Sequence, residues 1–119
     1  MRTLRTLALL LALTVAATVN ATTVTPDCLT YGKWSWKVIE KKDFDTTYAF
    51  SILVISGCRE EYTVEVIFAA YDKDGVVRGR APIHGQVKPG ASNITGTDWL
   101  KTSDANAVVR WEVEKVYGY

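Results

Sequence analysis

The stretch that most constrains this chain is residues 62–75, YTVEVIFAAYDKDG. Val64, Val66 and Phe68 fall on one face and Thr63 and Glu65 on the other, the period of two that a half-buried β-strand requires. Asp72-Lys73-Asp74-Gly75 then reverses the chain. Aspartate favours turns, and glycine accepts the positive φ that closes a bulged hairpin.

Neighbouring segments carry the same signal. Residues 33–41 alternate, with Trp34, Trp36 and Val38 on one face and Lys33, Ser35 and Lys37 on the other, and residues 42–46 read as a turn. Residues 47–56 are apolar on both faces from Ile52 to Ile55, which predicts a central strand covered on two sides. The short polar connection 57–61 predicts that this strand pairs with the next as an antiparallel hairpin. Residues 76–87 form a weaker strand. Pro82 cannot donate to a ladder and marks it as an edge, and Arg78 and Arg80 discourage unwanted pairing there. Pro89-Gly90 is a turn. Residues 91–99 form a short strand weakened by Gly96, and 100–106 a polar loop. Residues 107–117 are the last strand, with Val109, Trp111 and Val113 on one face. Six or seven short strands at this spacing predict an all-β protein, a small antiparallel β-sandwich.

The N-terminus reads as a targeting segment. Arg2 and Arg5 precede an apolar run over residues 7–17, and Val19-Asn20-Ala21 fits a cleavage site. The run is shorter than the roughly 18 residues that a membrane span needs, so no membrane insertion is expected after cleavage. The division is a signal peptide at 1–21, an N-terminal arm at 22–32 and the sandwich at 33–119. Cleavage leaves about 98 residues, enough for one core. It also leaves twelve basic against thirteen acidic residues, a balance that excludes an electrostatic case for nucleic acid.

Cys28 and Cys58 are the only cysteines, and in an exported chain an even count reads as a disulfide. Closing that loop would stabilise the fold by roughly 3–4 kcal/mol on the chain-entropy treatment. Thr25-Pro26-Asp27 before Cys28 does not suit a lipid-attachment site. Two cysteines and one histidine do not make a zinc set, and the mature chain has no methionine for a copper site. No cofactor is expected.

Phe68-Ala69-Ala70-Tyr71-Asp72, continued by Lys73-Asp74-Gly75, and Val87-Lys88-Pro89-Gly90 further on, give the chain an order of features that resembles the FxLYD family. These are small immunoglobulin-like domains of exported bacterial proteins. The matching positions are Phe68, Tyr71, Asp72, Gly75, Pro89 and Gly90; Ala70 stands where the motif has leucine. The resemblance spans residues 36–99 and implies an immunoglobulin-like accessory domain, secreted or periplasmic, with no catalytic residues and no shared ligand to carry over.

Candidate sites follow from residue type. His84 is the only histidine, with no nucleophile elbow near it, and reads as a surface or loop residue. Asp72-x-Asp74-Gly75 begins like a calcium loop but lacks the closing glutamate. Asp43 with Asp45, or Asp98 with Asp104, could serve as a glycosidase pair by type only. Asn93-Ile94-Thr95 matches a glycosylation sequon, which matters only in a eukaryotic host. Trp34, Trp36, Trp99 and Trp111 are core candidates first, with Trp34 and Trp36 able to form an aromatic platform if exposed. Arg78, Arg80 and His84 share a face that could meet an anionic partner.

The expected function is non-catalytic binding, first of another protein at the cell envelope. The second expectation is a carbohydrate or cell-wall module using exposed tryptophan, and the third a small hydrolase. The binding surface is expected at the Arg78/Arg80 edge or the Trp34/Trp36 end. The edge is preferred, because backbone pairing gives affinity without a pocket.

Overall fold

The computed structural model describes residues 27–119, and there the period-two pattern becomes six strands and one helical turn. In chain order these are β1 (Leu29–Lys41), β2 (Asp45–Ser56), β3 (Tyr62–Tyr71), β4 (Val77–Val87), β5 (Gly90–Lys101), α1 (Thr102–Ala105) and β6 (Arg110–Gly118). The targeting segment and residues 22–26 of the arm lie outside the described residues. The last residues of the arm, from Leu29, belong to β1.

The strands form two antiparallel sheets of three, ordered β1-β2-β5 and β4-β3-β6. On β3, Val64, Val66 and Phe68 are fully buried, as the alternation predicts. The expected β2–β3 hairpin does not form: β2 pairs with β1 and β5, and β3 with β4 and β6. Both strands carry a strongly apolar face, and stacking those faces buries more than setting them side by side. Phe50 of β2 stacks on Phe68 of β3 at 4.6 Å between ring centroids. The connection 57–61 reaches about 17 Å when extended, which spans the roughly 10 Å between packed sheets.

β2 is central in its sheet but covered on one side only. Ile52 and Val54 are buried, Leu53 is half-buried and Ile55 is exposed, because a two-layer fold has nothing to lay over its outer face. Tyr48, Phe50, Phe68 and Trp111 form the aromatic centre of the core; Trp111 meets Phe50 at 4.8 Å and Tyr48 at 5.0 Å, both edge-on.

The Cys28–Cys58 disulfide is present, with Cα atoms 5.1 Å apart. It clamps the β1–β2 pair at the end opposite its turn, where the Gly57 N–H also donates to the Cys28 carbonyl at 2.8 Å.

β4 and β5 follow one another through a turn at Gly90, φ 105°, yet lie in different sheets. They still run alongside each other, with side chains of one strand filling the place of glycines in the other. A Cβ at Gly96 would lie 2.6 Å from Ile83 Cγ2, and one at Gly85 3.1 Å from Ile94 Cγ1; Gly79 faces Leu100 in the same way. Gly96 is therefore what lets the sheets close on this side, and β5 runs through it for 12 residues. On the opposite side β1 and β6 form no ladder, and the sandwich is open there.

The expected polar loop at 100–106 contains the single turn α1. It fastens the β1–β2 turn: the Thr102 N–H donates to the Phe44 carbonyl at 3.0 Å and its hydroxyl to the Asp43 carbonyl at 3.1 Å. β6 starts at Arg110, later than expected, so Val109 does not share the buried face of Trp111. Its N–H donates to the Tyr71 carbonyl, beyond the end of the sheet, and its side chain is exposed.

Candidate functional site

The 72–75 turn is accounted for by its own bonding. Asp72 is buried; its Oδ1 accepts the N–H groups of Val76 at 2.9 Å and Asp74 at 2.8 Å, and its Oδ2 accepts Arg78 Nε at 3.0 Å. The Val76 N–H, followed by the Asp74 N–H and the Arg78 guanidinium, holds this carboxyl below the usual aspartate range despite desolvation. Gly75 has φ 80°, the left-handed value the turn needs. The motif residues Asp72 and Gly75 thus have structural work, as has Phe68 in the core. Tyr71 lies under the Arg110 guanidinium, 4.7 Å from its ring centroid. Pro89 and Gly90 form the turn into β5.

Arg78, Arg80 and His84 do share the outer face of the second sheet, but each has a carboxylate. Arg78 binds Asp72 and reaches Asp104 at 3.8 Å. Arg80 grips Glu114 with two bonds, 2.8 and 3.1 Å, and this bond holds the Glu114 carboxyl below its ordinary range. His84 Nε2 lies 2.7 Å from Glu65 Oε2. Next along the face Gln86 donates to Thr63 at 2.9 Å. These are the cross-strand pairs that fasten β4 to its sheet, and an anion would have to displace carboxylates already in place. The His84–Glu65 pair matches a base and its orienting carboxylate. However, it stands on an open face with the imidazole half exposed, and among the described residues the imidazole's hydrogen-bond partner is Glu65.

β4 is an edge in hydrogen-bonding terms, with Pro82 opposite Ile67, but β5 packs along its other side. The free edges are β1 and β6. This moves attention from the arginines to the tryptophans. Trp34 is half-buried against Phe68 at 5.6 Å. Trp36 is 39% exposed, although it points inward and meets the edge of Tyr48 at 5.9 Å. The inner face of β1 runs past the cover that the second sheet provides, so Trp36 and Val38 stay open while Phe50 and Tyr48 of β2 do not.

That overhang forms the wall of a cleft of about 320 Å³. Trp36, Val38 and Lys41 of β1 face Asn106 and Val108 across it, with Thr46 and Tyr48 between. Thr46 is 2% exposed, and its Oγ1 has no hydrogen-bond partner among the described residues. Burial raises the Tyr48 phenol pKa. A second cavity of about 320 Å³ lies further along the same open side, between Leu29–Tyr31 and Val113–Val116. A shallow hollow on the outer face, about 780 Å³, sits at the irregularity in β1 beside Gly32, Lys33 and Leu53.

Trp99, a core candidate by sequence, is not in the core: it is 58% exposed, on the outer face opposite Thr47, so it cannot form a platform with the inward Trp36. Phe44 is 85% exposed at the β1–β2 turn. An aromatic residue between two turn-forming aspartates was the available signal for it. Among the described residues no group of three or more His, Cys, Asp or Glu could hold a metal ion, and no helix is long and apolar enough to cross a membrane.

No family model matches the chain, and no curated protein matches it. A solved structure described as the X-ray structure of Northeast Structural Genomics Consortium target SoR45 is similar over 80% of this chain and 88% of that one. The identity is 10% and the TM-score 0.44, too low to carry an argument about fold or function.

Proposed function

We propose that this chain is an exported, non-catalytic binding domain whose partner is a protein of the cell envelope. The observation that carries the reading is the free edge of β1, where Trp36 and Val38 stand exposed on the wall of an open cleft and Ile39 is exposed at the irregularity beside them. Contiguous apolar surface rimmed by polar groups is what association surfaces look like. The N-terminal targeting pattern and the disulfide support export to an oxidising compartment. The short FxLYD-like motifs support an accessory domain without a reaction. The carbohydrate reading keeps Trp99, exposed beside the hydroxyl-bearing face of Thr47 and Thr97, but has no second aromatic on that face to complete a platform.

The experiment is capture of envelope proteins by the immobilised, oxidised mature domain, with Trp36→Ala and an Arg78→Glu/Arg80→Glu double variant in parallel. Partner recovery lost with Trp36→Ala and kept with the arginine variant is the expected result. Recovery of no specific protein by the wild-type domain overturns the reading.

A further inference from the structure

We propose that residues 34–38 of β1 receive one extended segment of the partner protein, a segment that alternates apolar and acidic residues. This deepens the binding reading above and rests on it.

β1 is hydrogen-bonded to β2 alone, so alternate residues direct backbone N–H and C=O groups away from the sheet. Irregularities between Tyr31 and Trp34 and between Val38 and Glu40 bracket the stretch. Between them the register is unbroken, from Trp34 opposite Ile52 to Val38 opposite Tyr48. Bulges bend an edge away from an incoming strand. The regular piece between two of them is where a strand can add.

The two faces of that piece ask for different side chains. Trp36 and Val38 point inward and wall the cleft, so an added strand's inward residue beside them enters about 320 Å³ of largely apolar space. Lys37 points outward, with Lys33 before it on the same side, while Lys41, opposite Thr46 beyond the second irregularity, lines the cleft. None of the three forms an ion pair among the described residues, whereas Arg78 and Arg80 of β4 are each matched by a carboxylate. Carboxylates on the outward positions of the added strand complement that row.

The same charges argue against a second copy of this chain as the occupant. Two β1 edges laid together would bring their lysines into proximity. The glutamates of β6, the other free edge, are already engaged by Arg110 and Arg80.

The test is a titration of the oxidised mature domain with a short capped peptide alternating valine and glutamate, followed by amide NMR shifts. A valine–lysine peptide and a glutamate peptide N-methylated at alternate residues serve as controls. Shifts should concentrate at residues 34–38 and at Asn106 and Val108. The lysine peptide should bind roughly tenfold more weakly, and Lys37→Glu should reverse that preference. The proposal is overturned by no shifts in β1 at millimolar peptide, by equal response to both charges, or by a wild-type dimer that holds this edge in sedimentation. Envelope capture separates this failure from that of the binding reading. Capture that survives Lys37→Glu and Trp36→Ala leaves protein binding standing and removes β1. Peptide binding without any captured protein does the reverse.

Discussion

Replacing Gly96 by alanine should destabilise the sandwich, and the reason lies in one strand crossing. The added Cβ would stand 2.6 Å from Ile83 Cγ2, 2.8 Å from its Cβ and 3.7 Å from its Cα. Ile83 is branched at Cβ and buried, so it cannot rotate clear; β4 and β5 must separate instead. Overpacking of this kind costs about 1–3 kcal/mol. Gly96 has ordinary negative-φ backbone, so alanine also narrows the unfolded ensemble, a gain of about 0.4–1 kcal/mol. The net loss is roughly 0–2.6 kcal/mol, and two contacts under 3 Å to a β-branched centre place it in the upper part of that range. Urea unfolding of the oxidised domain measures it, provided the slope is unchanged between variants. Gly79→Ala is the control, because its neighbour is the end of the Leu100 side chain, which can swing away. It should cost less. In an Ile83→Ala background the penalty for Gly96→Ala should shrink, because the 2.6 Å contact with Cγ2 is gone, but not vanish, because the Cβ at 2.8 Å remains. Equal midpoints for Gly96→Ala and wild type, or the same penalty in both backgrounds, would refute the close-crossing argument.

Phe68→Ala and Trp111→Ala should each cost roughly 3–5 kcal/mol by denaturant midpoint, since both rings are buried among Tyr48 and Phe50. Intact mass after alkylation should show Cys28 and Cys58 protected until reduction, and a Cys28→Ser/Cys58→Ser variant should lose roughly 3–4 kcal/mol. Stability should fall on acidification. The Asp72 and Glu114 carboxyls have lower pKa values folded than unfolded, so their contribution is complete above the unfolded values and is lost as pH drops through the folded ones. Thermal melts should therefore weaken below about pH 4, and less steeply in Asp72→Asn.

The fold class was legible because period-two alternation shows in most of the strands, and the 72–75 turn because its chemistry is local. Pairing between strands was not. The apolar face of residues 47–56 is equally compatible with lying beside the next strand or stacking over it, and only the Phe50–Phe68 stack decides between them. The glycines misled for a related reason: Gly96 looks like a weak point in one strand until Ile83 of another is set against it. At the candidate site, residue types marked Arg78 and Arg80 as available charge. Their partners, Asp72 and Glu114, come from other segments and cannot be assigned from spacing. Trp36 was visible as an aromatic, but its exposure depends on where the facing sheet ends.

The lysines of β1 bear on a hazard as well as on a partner. A long free edge carrying Tyr31, Trp36, Val38 and Ile39 in the open is a template for pairing with any extended chain, including another copy of itself. Charge and bulges are the usual safeguards, and β1 has both. Cross-strand like charges oppose pairing by about 0.2–1 kcal/mol each, so Lys33 and Lys37 on the outer face supply a modest barrier that an acidic strand would convert into attraction. A Lys33→Thr/Lys37→Thr variant removes that barrier while favouring strand geometry at both positions. Sedimentation velocity over a range of concentrations should show it associating where the wild type does not, and added salt should narrow the difference by screening the wild-type repulsion. If the variant stays as monomeric as the wild type, the bulges alone protect the edge. The lysines would then have no protective part to play, and recognition of an acidic segment would be the one role left for them.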